Sequence, residues 1–245
     1  MYAKIAGGGM AMVPPPTQYY RRGRKRPNRY HRVGRGQYYS NTIKQVVQDV
    51  RKLKNLINVE FKSLDKDGSI TLTNPDSSGK VYLLNGCAQN DTGEGRDGLS
   101  IKMQSLQYTL MITQDTNQQN PVLVRVMFVL DTAPDGVELT PAELLDSSFP
   151  YYRSFRNLIH RKRLITLRDS KFILAPFGDP DSKWVKDEYI KLGVKGQGIH
   201  TIYSGSASDI TGISANALYC LIFSDAGLGF LPEISLSARI RFLDN

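Results

Sequence analysis

The sequence predicts an all-β fold: a single eight-stranded jelly-roll sandwich, preceded by a disordered basic N-terminal arm and a short amphipathic helix. From about residue 59 onward, nine short segments are rich in β-branched, leucine and aromatic residues and are bounded by Gly, Pro, Asn or Asp. No helices alternate regularly with these segments, which argues against a doubly wound α/β fold. The long loops and the number of strands favour the double-sheet jelly roll among sandwiches and barrels.

Charge separates the first 40 residues from the rest of the chain. Residues 1–40 hold nine of the 32 basic residues and no acidic residue, so the 23 basic residues that remain equal the 23 acidic ones in number. The whole formal charge of +9 therefore lies on this arm, which excludes a domain whose folded surface is uniformly basic. Six glycines, three consecutive prolines and no Leu or Phe predict that the arm is disordered in isolation.

The arm has the composition of a segment that binds single-stranded nucleic acid. Lysines and arginines on a flexible segment neutralise phosphates and release counterions, and tyrosines between them can stack on unpaired bases. The basic run Arg21–Arg26 is also typical of a nuclear import signal, and the same charges can serve both roles. The predicted nucleic-acid-binding residues are Arg21, Arg22, Arg24, Lys25, Arg26, Arg29, Arg32, Arg35, Tyr19, Tyr20, Tyr30, Tyr38 and Tyr39.

An amphipathic helix is predicted over residues 41–57. Apolar residues recur there at steps of three and four, from Ile43 to Ile57, with charged residues between them. One interpretation packs this helix on the body of the protein. The other makes it an inner element whose cationic face meets the same ligand as the arm, and the additional inner-surface cations are then Lys44, Arg51, Lys52 and Lys54.

Residues 58–245 are predicted to form the jelly-roll domain. Its last segment alternates most regularly, with apolar residues at every second position from Ile234 to Phe242. In residues 99–113 the alternation shifts its frame between Met103 and Leu106, which predicts a β-bulge. Residues 121–131 are apolar almost throughout, so we expect this strand to be buried on both faces.

Three shorter features of the body also carry expectations. The Asp67-Gly68 pair predicts a hairpin turn. Thr140 as a cap, Pro141 at the first helical position and Glu143 at the third predict a short helix inside a long loop. The basic cluster at residues 160–163, just before a strand, either lines the same inner surface as the arm or is a solvated loop.

The motifs tested for catalysis and metal binding predict no catalytic residue, no metal site and no cofactor. Residues 93–98 match the letters G-x-G-x-x-G, but a strand follows where the dinucleotide motif needs a helix, so we interpret them as a tight loop with positive φ. The three histidines are scattered and do not form a cupin ligand cluster. Cys87 and Cys220 lack a basic neighbourhood and are interpreted as buried hydrophobes, so the protein is predicted not to be an enzyme.

Five segments stand in a fixed order along residues 50–245: KLKNLINVEFKSLD, LLNGCAQNDTGEGRDGLSIKMQSLQYTLMI, VRVMFVLDT, RKRLITLRDSKFIL and ARIRFLDN. In that order they resemble the capsid proteins of small circular single-stranded DNA viruses that encode a rolling-circle replication protein, the circovirus-like viruses. The loop at residues 95–98, leading into the strand at 99–112, is the most distinctive part. The coat protein of satellite tobacco necrosis virus, whose genome is RNA, is similar but more distant.

The resemblance implies an eight-stranded jelly roll whose copies assemble into a small closed shell. It places the arm inside the shell on the genome and maps nuclear import information to Arg21–Arg26. Circoviruses proper have more arginine in this arm, in longer runs. That departure makes the four cations of the helix candidate contributors to neutralising the packaged strand.

The sequence thus predicts a viral capsid protein that self-assembles into a small icosahedral shell and packages single-stranded DNA through its arm. The predicted partners are copies of itself, the circular DNA genome and host nuclear import receptors, and the predicted locations are the virion and the host nucleus. No apolar run is long enough to predict membrane insertion. The alternatives are a non-assembling single-stranded nucleic-acid-binding protein and the coat protein of a small single-stranded RNA satellite virus.

Overall fold

The computed structural model describes residues 42–50, 60–72, 79–227 and 229–244. The chain divides into two units between Lys54 and Asn55. Residues 42–50 belong to the first unit, and all other described residues belong to the second. None of the described helices is both long enough and apolar enough to cross a bilayer.

The first unit contributes a helix, α1, described over residues 42–50. Its apolar residues recur at steps of three and four and therefore share one face. All nine side chains are exposed, including Ile43 and Val46 on that face. The predicted helix is thus confirmed over this part, and its remaining positions, 41 and 51–57, lie outside the described residues.

The described part of the second unit contains ten strands and a short helix. The helix, α2 (Pro141–Leu144), is the one predicted, and the backbone N–H of Thr140 donates to the Glu143 carboxylate at 2.9 Å. The strands are β1 (Glu60–Ile70), β2 (Lys80–Leu83), β3 (Ser100–Thr113), β4 (Val122–Asp131), β5 (Leu164–Leu174), β6 (Lys183–Lys191), β7 (Ile199–Tyr203), β8 (Ile213–Ala215), β9 (Ala217–Ser224) and β10 (Glu233–Asp244).

The strands form two antiparallel sheets in the nested order of a jelly roll. In the first sheet β1 pairs with β10 and β10 with β3, and β3 then pairs with β7 along its first part and with β6 along its second. The second sheet runs β2-β9-β4-β5. The first strand thus lies beside the last and the second beside the last but one. Strands β6 and β7 share one of the eight strand positions of a jelly roll, and the short β8 is an addition that pairs with β7 at the edge of the first sheet. The predicted all-β jelly roll is confirmed.

The core lies between the two sheets and follows the alternation of the sequence. In β10 the five apolar residues from Ile234 to Phe242 are buried, as their spacing predicts. Tyr108 of β3 stacks on Phe128 of β4 across the sandwich, with 4.2 Å between ring centroids. The register between β10 and β3 shifts between Met103 and Ser105, which confirms the predicted bulge.

The predicted hairpin turn at Asp67-Gly68 is wrong. Strand β1 continues through both residues and pairs with β10, where Asp67 lies opposite Ser237. The Ser237 hydroxyl donates to the Asp67 carboxylate at 2.6 Å. The aspartate therefore bonds a side chain on the neighbouring strand instead of its own backbone, and a full-length partner strand overrides the local turn signal.

Strand β4 is buried on both faces, as predicted, with only Leu123 partly exposed. Its neighbour β9 is buried along its whole length. One face of these strands meets the core. The long connection between β4 and β5, residues 132–163, covers the other face, because Arg125 of β4 bonds backbone carbonyls of that connection and Phe223 of β9 contacts its Tyr151 ring.

Candidate nucleic-acid interface and assembly surface

The arm residues predicted to bind nucleic acid all lie outside the described residues, since the description begins at residue 42. Of the four additional cations predicted on the helix, Lys44 is described and is exposed on α1. Arg51, Lys52 and Lys54 lie outside the described residues. Nucleic-acid binding by these arm residues therefore stays a prediction.

The middle of the β4–β5 connection is held to the second sheet by Arg125. The side chain of this arginine is buried, and its Nε and Nη2 donate to the two carboxylate oxygens of Asp169 at 2.9 and 2.7 Å. Its Nη1 donates to the backbone carbonyls of Tyr151 and Ser154 at 3.0 and 2.7 Å. Charge-assisted bonds of this kind are the strong ones, so one guanidinium fixes both β5 and the connection.

The two ends of the connection are joined by Arg163. Its Nε and Nη2 donate to Asp131 at 2.8 and 2.7 Å, and its Nη1 donates to Glu143 at 3.1 Å. The hydrogen bonds that Arg163 donates to Asp131 raise the pKa of Arg163 against the opposing effect of burial. The basic cluster at residues 160–163 is thus divided, because Arg163 is structural whereas Arg161 and Lys162 are exposed and form no ion pair with any described residue.

Three apolar side chains project from the second half of the connection. Phe155 is 71% exposed, Leu158 is 70% exposed and Ile159 is 82% exposed. Their exposure is not predicted from the sequence, because an apolar residue in a loop is as readily a core residue as a surface one. One sequence signal does indicate exposure: the three residues lie among Arg153, Arg156, Arg161 and Lys162. A segment with so many charged residues is rarely buried.

The loop at residues 93–98 precedes β3 and is organised by Arg96. This arginine is fully buried, and its guanidinium donates to the carbonyls of Cys87 and Gly98 at 3.1 and 2.5 Å and to that of Gly205. It also lies 4.1 Å from the centre of the Tyr203 ring. One buried cation therefore ties this loop to the loop that follows β7.

The prediction that the glycines of this loop adopt positive φ is wrong. Neither Gly93, Gly95 nor Gly98 has a positive φ. A Cβ on Gly95 would instead overlap the side chain of Asn90. The interpretation as a tight loop before a strand is otherwise confirmed, and the backbone does not provide the strand-to-helix turn of a dinucleotide site.

A buried charge cluster lies where β1 meets the end of β10. Lys62 Nζ lies 3.1 Å from Asp244 and 3.2 Å from Asp97, and the backbone N–H of Asp97 donates to the same Asp244 oxygen at 2.8 Å. Burial alone would lower the pKa of Lys62, but its hydrogen bonds to Asp244, Asp97 and Glu60 outweigh burial and raise it. This cluster fastens the 93–98 loop to the first sheet.

The outer face of the first sheet carries a shallow groove of about 300 Å³ between β1, β10 and β3. Arg239 and Asp65 form a two-bond ion pair at its edge, at 2.7 and 2.6 Å. The hydrogen bonds from Arg239 hold the pKa of Asp65 below its ordinary value of 3.8. Asp67, which also lines the groove, accepts a hydrogen bond from the Ser237 hydroxyl, so Asp65, Asp67 and Arg239 each have a partner within the chain.

The residues tested for catalysis show no activated nucleophile. Both cysteines are free and buried. Burial raises the pKa of Cys87 to about 11, offset in part by Arg96, and burial also raises the pKa of Cys220. Among the described residues, no three His, Cys, Asp or Glu side chains are grouped so that they could hold a metal ion.

Comparison with known proteins yields structural similarity only. No family model matches the chain, and no curated protein matches it. A chain of the Desmodium yellow mottle tymovirus structure is 10% identical with a TM-score of 0.35, covering 76% of this chain and 88% of that one. A chain of turnip yellow mosaic virus is 12% identical with a TM-score of 0.32, covering 76% of this chain and 94% of that one. Function therefore has to follow from the chain's own fold and charges.

Proposed function

We propose that this protein is the coat subunit of a small virus, which self-assembles into a closed icosahedral shell and packages single-stranded DNA through residues 1–40. The observation that carries this proposal is the division of charge: a formal +9 on the arm, attached to a jelly-roll body whose charges cancel. Jelly rolls serve in viral shells, lectins and cupins. Of these, a shell subunit is the one that needs a neutral, associating body and a cationic tether on the same chain.

The neutral body supports assembly. Copies without net charge do not repel one another over long range, so contacts between apolar and polar surfaces are free to drive association. The body also exposes apolar side chains that an isolated monomer would be expected to cover, such as Phe61 on β1 and Ile159 in the β4–β5 connection. Burial of such residues between subunits would stabilise a shell.

The arm supports packaging. Its arginines and lysines would neutralise phosphates, and its interleaved tyrosines would stack on unpaired bases, so the arm would bind a single strand without regard to its sequence. Lys44, Arg51, Lys52 and Lys54 would extend this cationic surface into the helix. The run Arg21–Arg26 would also bring the protein to the host nucleus through import receptors.

Single-stranded DNA, and not RNA, is proposed on the resemblance of the ordered strand motifs to capsid proteins of circovirus-like viruses. The composition of the arm does not distinguish the two nucleic acids, because its cations and rings recognise features that both share. Nucleic acid extracted from purified particles settles the point by its sensitivity to DNase or RNase. RNA in those particles would support the satellite-virus alternative instead.

The experiment that tests the proposal is size measurement on the purified full-length protein. Light scattering and electron microscopy should find closed particles of megadalton mass that contain nuclease-protected nucleic acid. A stable monomer at high protein concentration would contradict assembly and favour a non-assembling binding protein. Deletion of residues 1–40 should abolish packaging while the body still folds, and retention of nucleic acid by this variant at physiological salt would refute the role of the arm.

A further inference from the structure

The region around the β4–β5 connection separates its charges by sign. Residues 126–152 contain five acidic residues and no basic one: Asp131, Asp135, Glu138, Glu143 and Asp146. Residues 153–168 contain six basic residues and no acidic one: Arg153, Arg156, Arg161, Lys162, Arg163 and Arg168. An acidic half is thus followed directly by a basic half.

Only part of this charge is neutralised within the chain. Arg163 pairs with Asp131 and Glu143, and Arg168 pairs with Glu188 of β6. Glu138 in the acidic half, and Arg161 and Lys162 in the basic half, are exposed and form no ion pair with any described residue. Each half therefore presents unneutralised charge to the outside.

The two halves lie side by side in a fixed arrangement. The backbone N–H of Asp146 donates to the carbonyl of Phe155 at 2.9 Å, and the N–H of Asn157 donates to the carbonyl of Leu144 at 2.8 Å. Leu145 and Arg156 form an antiparallel bridge between these bonds. Because Arg125 and Arg163 anchor the same segment, its exposed side chains project from a rigid base.

The same segment also carries exposed apolar residues. Val137, which is 64% exposed, adjoins Glu138 in the acidic half. Phe155, Leu158 and Ile159 lie in the basic half, and the Phe155 ring packs edge-on against Phe149 at 5.9 Å. We name the exposed set of seven residues the charge-split strip: Val137, Glu138, Phe155, Leu158, Ile159, Arg161 and Lys162.

We propose that the charge-split strip is an interface between copies of this chain, in which the acidic half of one copy faces the basic half of the next around a centre of apolar side chains. This inference rests on the proposed assembly function and names a surface through which the subunits would contact one another. The strip complements itself because every copy carries both halves, as a contact between identical subunits requires. An aromatic and aliphatic centre with arginine beside it is also the composition of subunit interfaces.

A second copy fits this strip better than nucleic acid does. Leu158 and Ile159 are aliphatic, so they offer neither charge to a phosphate nor a flat ring to a base. Glu138 repels phosphate. The same three residues suit a protein partner, because aliphatic side chains are stabilised by burial and a carboxylate pairs with an arginine of the neighbouring copy.

The apolar centre is tested by substitution in the full-length protein. Ile159→Asp and Leu158→Asp should each raise the protein concentration at which particles form by at least tenfold, measured by light scattering, whereas Ile159→Val should leave it within twofold of wild type. Both positions are solvent-exposed, so circular dichroism and the unfolding midpoint of unassembled protein should not change. Particle formation by Ile159→Asp at the wild-type concentration overturns the interface.

The charge pairing is tested by reversing the sign of the charges in the basic half alone, and then in both halves. Arg161→Glu with Lys162→Glu should raise the assembly concentration, and adding Glu138→Lys to the same chain should lower it again, because the two halves have then exchanged signs. Loss of nucleic-acid binding with no change in assembly, or no recovery in the triple variant, overturns the pairing.

A wild-type protein that forms no particle refutes the proposed function itself, whereas wild-type particles with unaffected variants refute only this interface.

Discussion

Arg125 of β4 and Asp169 of β5 form a two-bond ion pair on the outer face of the second sheet, and the same guanidinium holds the backbone of the β4–β5 connection. These residues are 44 positions apart in the chain. The pair therefore couples the packing of a strand to the position of a long surface segment. Loss of the guanidinium would release both.

We expect Arg125→Met to lower the free energy of unfolding by about 2 kcal/mol, because two backbone carbonyls lose a charged donor while the partly exposed Asp169 regains some water. Urea unfolding of the unassembled protein measures this change. Lys171→Met, at an exposed position on the same strand β5, is the control and should cost less than about 0.5 kcal/mol. Equal midpoints for the two variants would contradict a role for Arg125 in holding the connection.

Arg96→Lys tests the buried arginine of the 93–98 loop. A lysine cannot reproduce the planar fork that reaches three carbonyls and lies over the Tyr203 ring, so the substitution should cost about 2 kcal/mol. In a chain of this size that corresponds to a fall of about 5 °C in Tm. Arg153→Lys, at an exposed position, should leave Tm within about 1 °C. An unchanged Tm in Arg96→Lys would mean that a positive charge at this position stabilises the loop without the planar geometry of the guanidinium.

The ion pair between Asp65 and Arg239 predicts part of the acid sensitivity of the fold. The pKa of Asp65 is lowered in the folded protein, so its contribution to stability is present above the ordinary value of 3.8 and is lost as the pH falls through the lowered folded value. When the pH is lowered from about 5 to about 2.5, the free energy of unfolding of Asp65→Asn should therefore fall by less than that of the wild type. The urea midpoint at the two pH values measures the difference, and parallel losses in both proteins would refute the assignment.

Neutralising the basic run of the arm should change how salt affects binding to single-stranded DNA. Replacing Arg21, Arg22, Arg24, Lys25 and Arg26 by Gln removes five phosphate contacts, so the slope of log K against log salt should become shallower by about 3.5, at about 0.7 per contact. Fluorescence anisotropy with a labelled oligonucleotide measures the slope. Replacing the exposed body residues Lys183, Lys191 and Lys195 by Gln should leave it unchanged. A slope that the arm variant does not alter would contradict electrostatic binding by this run.

Local pattern predicted the strands well where one face meets the core. The alternation from Ile234 to Phe242 and the frame shift after Met103 both follow from the period of two in side-chain direction, which a sequence displays directly. The Asp67-Gly68 turn was predicted wrongly because the competing partner, β10, lies about 170 residues away. Sequence proximity carries no information about such a partner.

The partners of charged residues are equally hard to predict from local sequence. His160 to Arg163 read as one basic cluster, yet the structure assigns Arg163 to Asp131 and leaves Arg161 exposed. Only the fold decides which of two neighbouring arginines is used within the chain. The exposure of Leu158 and Ile159 escaped prediction for a related reason, since hydrophobicity indicates burial without saying whether another element or another molecule provides the cover.

The pairing of β1 with β10 also constrains when the protein can mature. Asp65 and Arg239 are 174 residues apart, so the first sheet cannot close on a ribosome until β10 has emerged. Contacts of such long sequence separation form late and slowly. A chain still being translated therefore lacks a finished first sheet until β10 has been synthesised.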